Sequence, residues 1–163
     1  DLLDASRLQA GGLSLNRADV SLPTVAKRVA ERFSTQTKKH TIITDFPEKF
    51  PIVLADETRI EQVIINLVSN ALKYAAGGEI RINGKTRPEQ VVICVSDDGP
   101  GIEAKDLPHI FDRFYRSTKA VKHTKGAGLG LYLARAIIEA HGGRIWADPK
   151  PDSGARICFS LPR

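Results

Sequence analysis

Residues 56–78 read DETRIEQVIINLVSNALKYAAGG. Ile60, Val63, Ile64, Leu67, Val68, Ala71 and Leu72 recur at the spacing that lines one face of an α-helix. Asp56 suits the N-cap and Gly77-Gly78 the stop, so the pattern predicts a helix from Asp56 to about Ala75. Asn66, Asn70 and Lys73, at i, i+4 and i+7, form a polar stripe on the same helix. Asn disfavours helix interiors because its amide seeks caps and turns. Two of them one turn apart, followed by Lys, suit carbonyl oxygens offered to Mg²⁺ and an ammonium offered to phosphate. Taken alone, the stripe reads better as a solvated helix face.

Outward from this helix, short apolar runs bounded by turn residues read as strands. Upstream, LSLNRADVSL alternates and predicts a strand from about Leu13 to Val20. Ser21 then suits an N-cap, Pro23 a first turn, and Val25, Val29 and Phe33 one face of a helix. HTIITDFP (40–47) and IVLA (52–55) follow as strands. Downstream, EIRING (79–84) and VVICVSD (91–97) read as a strand pair. Periodicity then fails from Asp97 to Gly126. A helix resumes from about Leu129 to His141, stopped by Gly142-Gly143, and RIWAD (144–148) and ARICFSL (155–161) close the chain as strands. DLLDASRLQA (1–10) carries Leu2, Leu3, Ala5 and Leu8 at helical spacing and reads as the tail of a helix. The order β-α-β-β-α-β-β-loop-α-β-β predicts a mixed sheet with helices on one face.

Composition bounds the class. The chain has 163 residues, 42% hydrophobic and 26% charged, which suits one domain with a sizeable core. It excludes a disordered, collagen-like or disulfide-stapled chain, and no apolar run reaches the roughly 20 residues of a membrane span. With no Met at position 1 and no signal peptide, the chain reads as a piece of a longer protein. Cys94 and Cys158 lie in apolar alternating runs and read as small buried hydrophobes, not halves of a bridge, which fits a reducing cytosol. His40, His109, His123 and His141 show no metal-ligand spacing and read as surface or packing residues.

Two further motifs carry chemistry. Asp97-Asp98-Gly99-Pro100-Gly101 follows an apolar strand. Its glycines permit a tight turn and close backbone approach to a ligand, and an Asp at a strand end can accept from an exocyclic amine. Gly126-Ala127-Gly128-Leu129-Gly130-Leu131 opens a helix, where uncovered N–H groups bind anions. It matches neither a P-loop nor a Rossmann fingerprint. Each is weak alone.

In this order, however, Asn66-x-x-x-Asn70-x-x-Lys73-Tyr74, Asp97-x-Gly99-x-Gly101, Phe111-x-x-Phe114 and Gly126-x-Gly128-x-Gly130 resemble the N, G1, F and G2 boxes of sensor histidine kinases. These define the kinases' catalytic ATP-binding domain, in the superfamily shared with gyrase, MutL and heat-shock chaperone ATPases. The resemblance covers about residues 13–163 and implies a Bergerat-type α/β two-layer sandwich, a mixed sheet packed on helices with a mobile ATP lid. Residues 1–12 resemble the end of that family's dimerisation helix.

The resemblance implies Asn70 as the magnesium ligand, with Asn66 supporting metal and phosphates, Lys73 on phosphate and Tyr74 flanking the nucleotide. Asp97 would accept from the adenine amino group, Gly99 and Gly101 would shape the pocket, and Ile102, Leu131 and Phe159 would wall the base. Phe111, Phe114 and Tyr115 would anchor the lid, and Arg116 would reach the γ-phosphate. Gly126, Gly128, Leu129 and Gly130 would hold the triphosphate. In the hydrolysing branch the position of Asn66 resembles a Glu that activates water. An amide cannot act as a general base, which favours transfer over hydrolysis. One departure is Ala127, where the family often has Thr.

The implied activity is phosphoryl transfer from Mg·ATP to a His on a helical dimerisation domain, and from there to an Asp of a response regulator. None of the four His is followed by the acidic residue of the family's phosphoacceptor motif, so the fragment should bind ATP without phosphorylating itself. The same resemblance implies a cytoplasmic domain of a homodimeric parent and leaves open whether that parent is anchored in the inner membrane; without the dimerisation helices the fragment itself is expected to be monomeric. The formal charge of +5 is concentrated between Asp112 and Gly126, where Arg113, Arg116, Lys119, Lys122 and Lys125 face one acid. The aromatics cluster at one lid anchor without interleaving with these cations, which argues against nucleic acid and for a triphosphate.

Overall fold

A computed structural model describes residues 13–115, 129–148 and 154–163. Strands β1 (Ala18–Val20), β2 (His40–Asp45), β3 (Val53–Ala55), β4 (Gly78–Thr86), β5 (Gln90–Asp97), β6 (Ile145–Ala147) and β7 (Arg156–Pro162) alternate with three helices. These are α1 (Leu22–Ser34), α2 (Glu57–Tyr74) and α3 (Gly130–Ala140). Five strands form one mixed sheet in the order β2-β4-β5-β7-β6. β2 and β4 run parallel, joined through β3 and α2, and the other neighbours are antiparallel. The architecture is the expected α/β two-layer sandwich.

The expected single sheet needs one correction. β1 and β3 form a separate two-stranded ribbon, in which Ala18 pairs with Ala55 and Val20 with Val53. The alternation from Leu13 therefore overstates β1, because only the three residues that meet β3 find a ladder partner.

The helical stripes behave as their spacing dictates. Leu22, Val25, Val29 and Phe33 of α1, and Ile60, Val63, Ile64, Leu67, Val68 and Ala71 of α2, are buried. They meet the inward residues of the sheet (Ile80, Ile82, Ile93, Val95, Ile157, Phe159) in one core. Ser21 caps α1 by accepting from Thr24 N, beside Pro23. Asp56 caps α2 by accepting from Arg59 N at 3.2 Å and also holds Asn16 N at 3.0 Å. Leu129, before α3, offers no side-chain cap to that helix start.

The cysteines depart from expectation. Cys94 and Cys158 are joined as a disulfide, with Cα atoms 4.1 Å apart. They lie directly opposite each other on β5 and β7, on the face turned away from the helices. Alternation shows that each residue is apolar and half of a pleat. It carries no information on which residue of a strand 64 positions away stands opposite. The inference of a reducing compartment from free thiols falls with this pairing.

Candidate active site

The site is built where β5 ends and where α3 begins. At the first place, Asp97 is the last residue of β5, and its carboxylate is buried. Oδ1 accepts from Gly99 N at 2.8 Å and Ala155 N at 3.3 Å, while Asp97 N donates to Ala155 O at 2.9 Å. The start of β7 thus clamps the end of β5. Burial pushes the Asp97 carboxyl above its usual range, and the Gly99 and Ala155 donors pull it back. Oδ2 accepts from none of the described residues. Asp98 plays a different part: it is exposed and accepts from Glu79 N at 3.0 Å, closing the β4–β5 edge.

Backbone fits tightly around this carboxylate. A side chain at Gly99 would stand 2.9 Å from Asp97 Oδ1 and 3.1 Å from Ala75 Cα, just beyond the end of α2. Gly101 has φ +81°, the left-handed region that glycine enters without strain. Ile102, Phe111 and Leu131 are half-buried and pack on the core beside this corner. Phe159 is fully enclosed in the core and offers no surface to a ligand.

At the second place, Asn66 reaches across from α2 and its Nδ2 donates to Gly130 O at 3.1 Å. Only the amide nitrogen can donate to a carbonyl, so the Oδ1 of Asn66 is directed away from Gly130. The contact joins two motifs that are 64 residues apart in the chain. Asn70 and Tyr74 are half-buried further along α2, and Lys73 is exposed. Arg116, Gly126, Ala127 and Gly128 lie outside the described residues, as do residues 1–12 and most of the expected lid.

The described start of the lid is partly anchored. Tyr115 donates its hydroxyl to the buried Asp106 carboxylate, which pushes the phenol above its usual range. Phe114 is half exposed, sits at φ 63°, and has the Arg113 guanidinium 4.5 Å from its ring centre. So Phe111 packs on the core and Tyr115 is tied to Asp106, whereas Phe114 is exposed.

Several supporting residues escaped sequence reasoning. Gly154 has φ +75°, and a Cβ there would stand 1.8 Å from Asp97 O. Ser153-Gly154 is a turn signal, but nothing local links it to Asp97. His40 bridges Thr37 Oγ1 and Ala75 O, each at 2.8 Å, tying β2 to the end of α2. His141 is buried. Its Nδ1 meets Ile137 O at 2.8 Å, and its Nε2 accepts from Asp56 N at 3.0 Å, which ties the end of α3 to the start of α2. Burial pushes the His141 imidazole below its usual pKa. Two of the four histidines therefore pack at element ends, and His109 is a surface partner of Asp112.

Residues 55–163 match the family described as Histidine kinase-, DNA gyrase B-, and HSP90-like ATPase, and the chain belongs to it. Its relatives are sensor kinases. The adaptive-response sensory kinase SasA of Microcystis aeruginosa is 39% identical over 166 residues, covering 99% of this chain and 43% of that protein. Full-length ShkA, solved in complex with AMPPNP, superposes with a TM-score of 0.88 at 29% identity, covering 99% of this chain and 34% of that one. The catalytic domain of the histidine kinase ThkA, nucleotide-free, superposes at 0.79 with 30% identity over 91% of this chain and 98% of that one. The present chain thus spans less than half the length of the SasA sequence it matches. Among the described residues no helix is long and apolar enough to cross a membrane.

Proposed function

We propose that this chain is the ATP-binding phosphotransfer domain of a two-component sensor kinase. It would donate the γ-phosphoryl group of ATP to a His on a helical dimerisation domain, from which an Asp of a response regulator receives it. The observation that carries the reading is Asp97: a buried residue at a strand end whose one carboxylate oxygen is held by two backbone N–H groups and whose other oxygen accepts from none of the described residues. Such an acceptor suits an exocyclic amine. ShkA, similar over nearly the whole chain, was solved with AMPPNP. ThkA was solved in complex with the response regulator TrrA, again with 99% of the present chain matched.

The triphosphate would run from this corner toward the uncapped start of α3. There the N–H groups of Leu129, Gly130 and Leu131 suit phosphate, with Gly126 and Gly128 completing the loop. Lys73 and Arg116 would complement charge on the phosphates, and Tyr74 would flank the nucleotide. Among the described residues no cluster of His, Cys, Asp or Glu could hold a metal. A magnesium ion would therefore rely on the Asn70 amide oxygen, supported by Asn66, and on the nucleotide's own oxygens, where it would neutralise phosphate charge. Because Asn66 is an amide donating to Gly130, it cannot deprotonate water, which favours transfer to an acceptor side chain over hydrolysis.

Residues 13–163 would form the catalytic unit, residues 1–12 the end of the dimerisation helix, and a cytoplasmic setting would supply the ATP. The test combines the chain with a separately expressed His-bearing helical domain and γ-labelled ATP. Acid-labile label on that domain supports the reading, and ATP binding with no labelled histidine contradicts it.

A further inference from the structure

Across the open face of the sheet, Asn83, Cys94, Cys158 and Trp146 stand in one row, each opposite the next on neighbouring strands. Cys94 and Cys158 are buried in a small second cluster with Val92, against which Trp146 packs. Cys94 also lines a cleft of about 330 Å³ on this face, together with Arg81, Lys85 and Arg156. One half of the cross-link, Cys94, therefore borders a cleft lined by side chains of both charges, while Cys158 is buried behind it.

Its position along the strands matters more than its accessibility. Cys94 lies three residues before Asp97 on β5, and Cys158 lies three residues after Ala155 on β7. Asp97 and Ala155 are the residues that clamp one another through Asp97 N to Ala155 O and Ala155 N to Asp97 Oδ1. The disulfide closes a loop that contains the Asp97–Gly101 corner, the lid segment and α3. Cutting it would remove the covalent tie between the two strands three residues from the carboxylate and leave their hydrogen-bonded ladder alone to hold the clamp.

We propose that Cys94 and Cys158 form a reversible thiol–disulfide site whose oxidised state holds the Asp97 clamp and whose reduced state loosens it. The effect on nucleotide rests on the reading of Asp97 given above; the effect on the clamp does not. In reduction, a small thiolate attacks Sγ of Cys94, the Sγ–Sγ bond breaks, and the electron pair leaves on Cys158 Sγ, which takes up a proton. A second small thiol attacks the mixed disulfide and frees Cys94, so two thiols become one external disulfide and the protein gains two thiols. The cleft beside Cys94 carries both signs of charge, Arg81, Lys85 and Arg156 with Asp45, Glu79, Asp97 and Asp98, and Arg81 and Arg156 are paired with carboxylates. Oxidation by a small disulfide is the same exchange in reverse.

The test equilibrates the 163-residue chain in glutathione buffers from fully oxidised to fully reduced. It counts thiols after acid quench and unfolding, follows amide hydrogen exchange, and measures AMPPNP affinity. Both thiols should appear together. Exchange at the Gly99 and Ala155 amides should then quicken by about tenfold or more, with Ile60 and Leu133 unchanged as evidence that the core stays folded. AMPPNP affinity should fall by roughly fivefold on reduction. Cys158→Ser and Cys94→Ala should each behave as the reduced form in every buffer. Failure of the bridge to form at any glutathione ratio, or identical exchange at Gly99 and Ala155 in both states, overturns the proposal. Absence of AMPPNP binding in both states overturns the nucleotide reading instead, and exchange at the two amides still decides the cross-link.

Discussion

The two ends of the candidate site are built on different physical principles. At the Asp97 end, a buried carboxylate is held by two backbone donors, two strands are clamped by reciprocal hydrogen bonds, and glycines at 99, 101 and 154 leave no room for a side chain. At the α3 end, one side-chain bond, Asn66 to Gly130, joins two helices, the helix start is uncapped, and Lys73 is exposed. The first end is preorganised and rigid, suited to recognising a planar base by shape and one hydrogen bond. The second is open and adjustable, suited to phosphates that are held by charge and must be released after transfer. Affinity and base selectivity should therefore reside at the Asp97 end, and the transfer rate at the α3 end.

The sharpest way to break this contrast is to place the same methyl group at both ends. At Gly154, with φ +75° and a new Cβ 1.8 Å from Asp97 O, Ala should cost roughly 3 kcal/mol of stability or more and abolish nucleotide binding. At Gly130, where the nearest atom to a new Cβ is Asn66 Cγ at 3.9 Å, Ala should leave stability unchanged or slightly raised, since glycine is the weaker helix former. Thermal unfolding of the two variants settles the point, and equal losses would erase the distinction between the ends.

A second test separates recognition from stability within one residue. Asp97 ionises in a buried position that raises its pKa, so the charged form is less favoured in the folded chain than in the unfolded one. The stability tied to its protonated form is present at low pH and is lost as pH rises through the raised folded value. Asp97→Asn removes that titration. It should raise the melting temperature at neutral pH, while its amide donor faces the base amine and weakens ATP by about 1–3 kcal/mol.

Much of this arrangement was legible in the chain, and what was missed has a common cause. The periodicity of α2 and the alternation of β4, β5 and β7 report burial directly, because one face of each must be apolar. Asp97, Gly99, Gly101, Asn66 and Gly130 could be singled out because their motifs are local and ordered. Gly154, Ala155, His40, His141 and the Cys94–Cys158 bridge act through partners 35 to 85 residues away. Which residues stand opposite one another is a property of strand register and helix docking, and no short window contains it.

Smaller effects should follow at the α3 end. Asn66→Asp removes the side-chain donor to Gly130 O and sets two acceptors against each other. It should cost about 1 kcal/mol of stability and slow phosphoryl transfer far more than it weakens nucleotide binding. Parallel measurement of affinity and single-turnover transfer distinguishes this from a loss of both together.

His141 gives the mildest perturbation. Its folded pKa is lowered by burial, so its contribution is present above the unfolded value of about 6.5 and declines as pH falls toward the folded value. Protonation removes the acceptor that holds Asp56 N, at the far end of the same two helices that Asn66 joins. Stability should fall between pH 7 and pH 5 in the parent chain, and the fall should be smaller in His141→Gln. Hydrogen exchange at the Gly99 amide should not respond.

The central claim is that the open oxygen of Asp97 selects an adenine nucleotide. Calorimetric titration of AMPPNP with Mg²⁺ into the parent chain and into Asp97→Asn tests it most directly. One saturable site is expected in the parent, with affinity weakened roughly tenfold or more in a variant that remains folded. No binding by the parent, or equal affinity in the two chains, would contradict it.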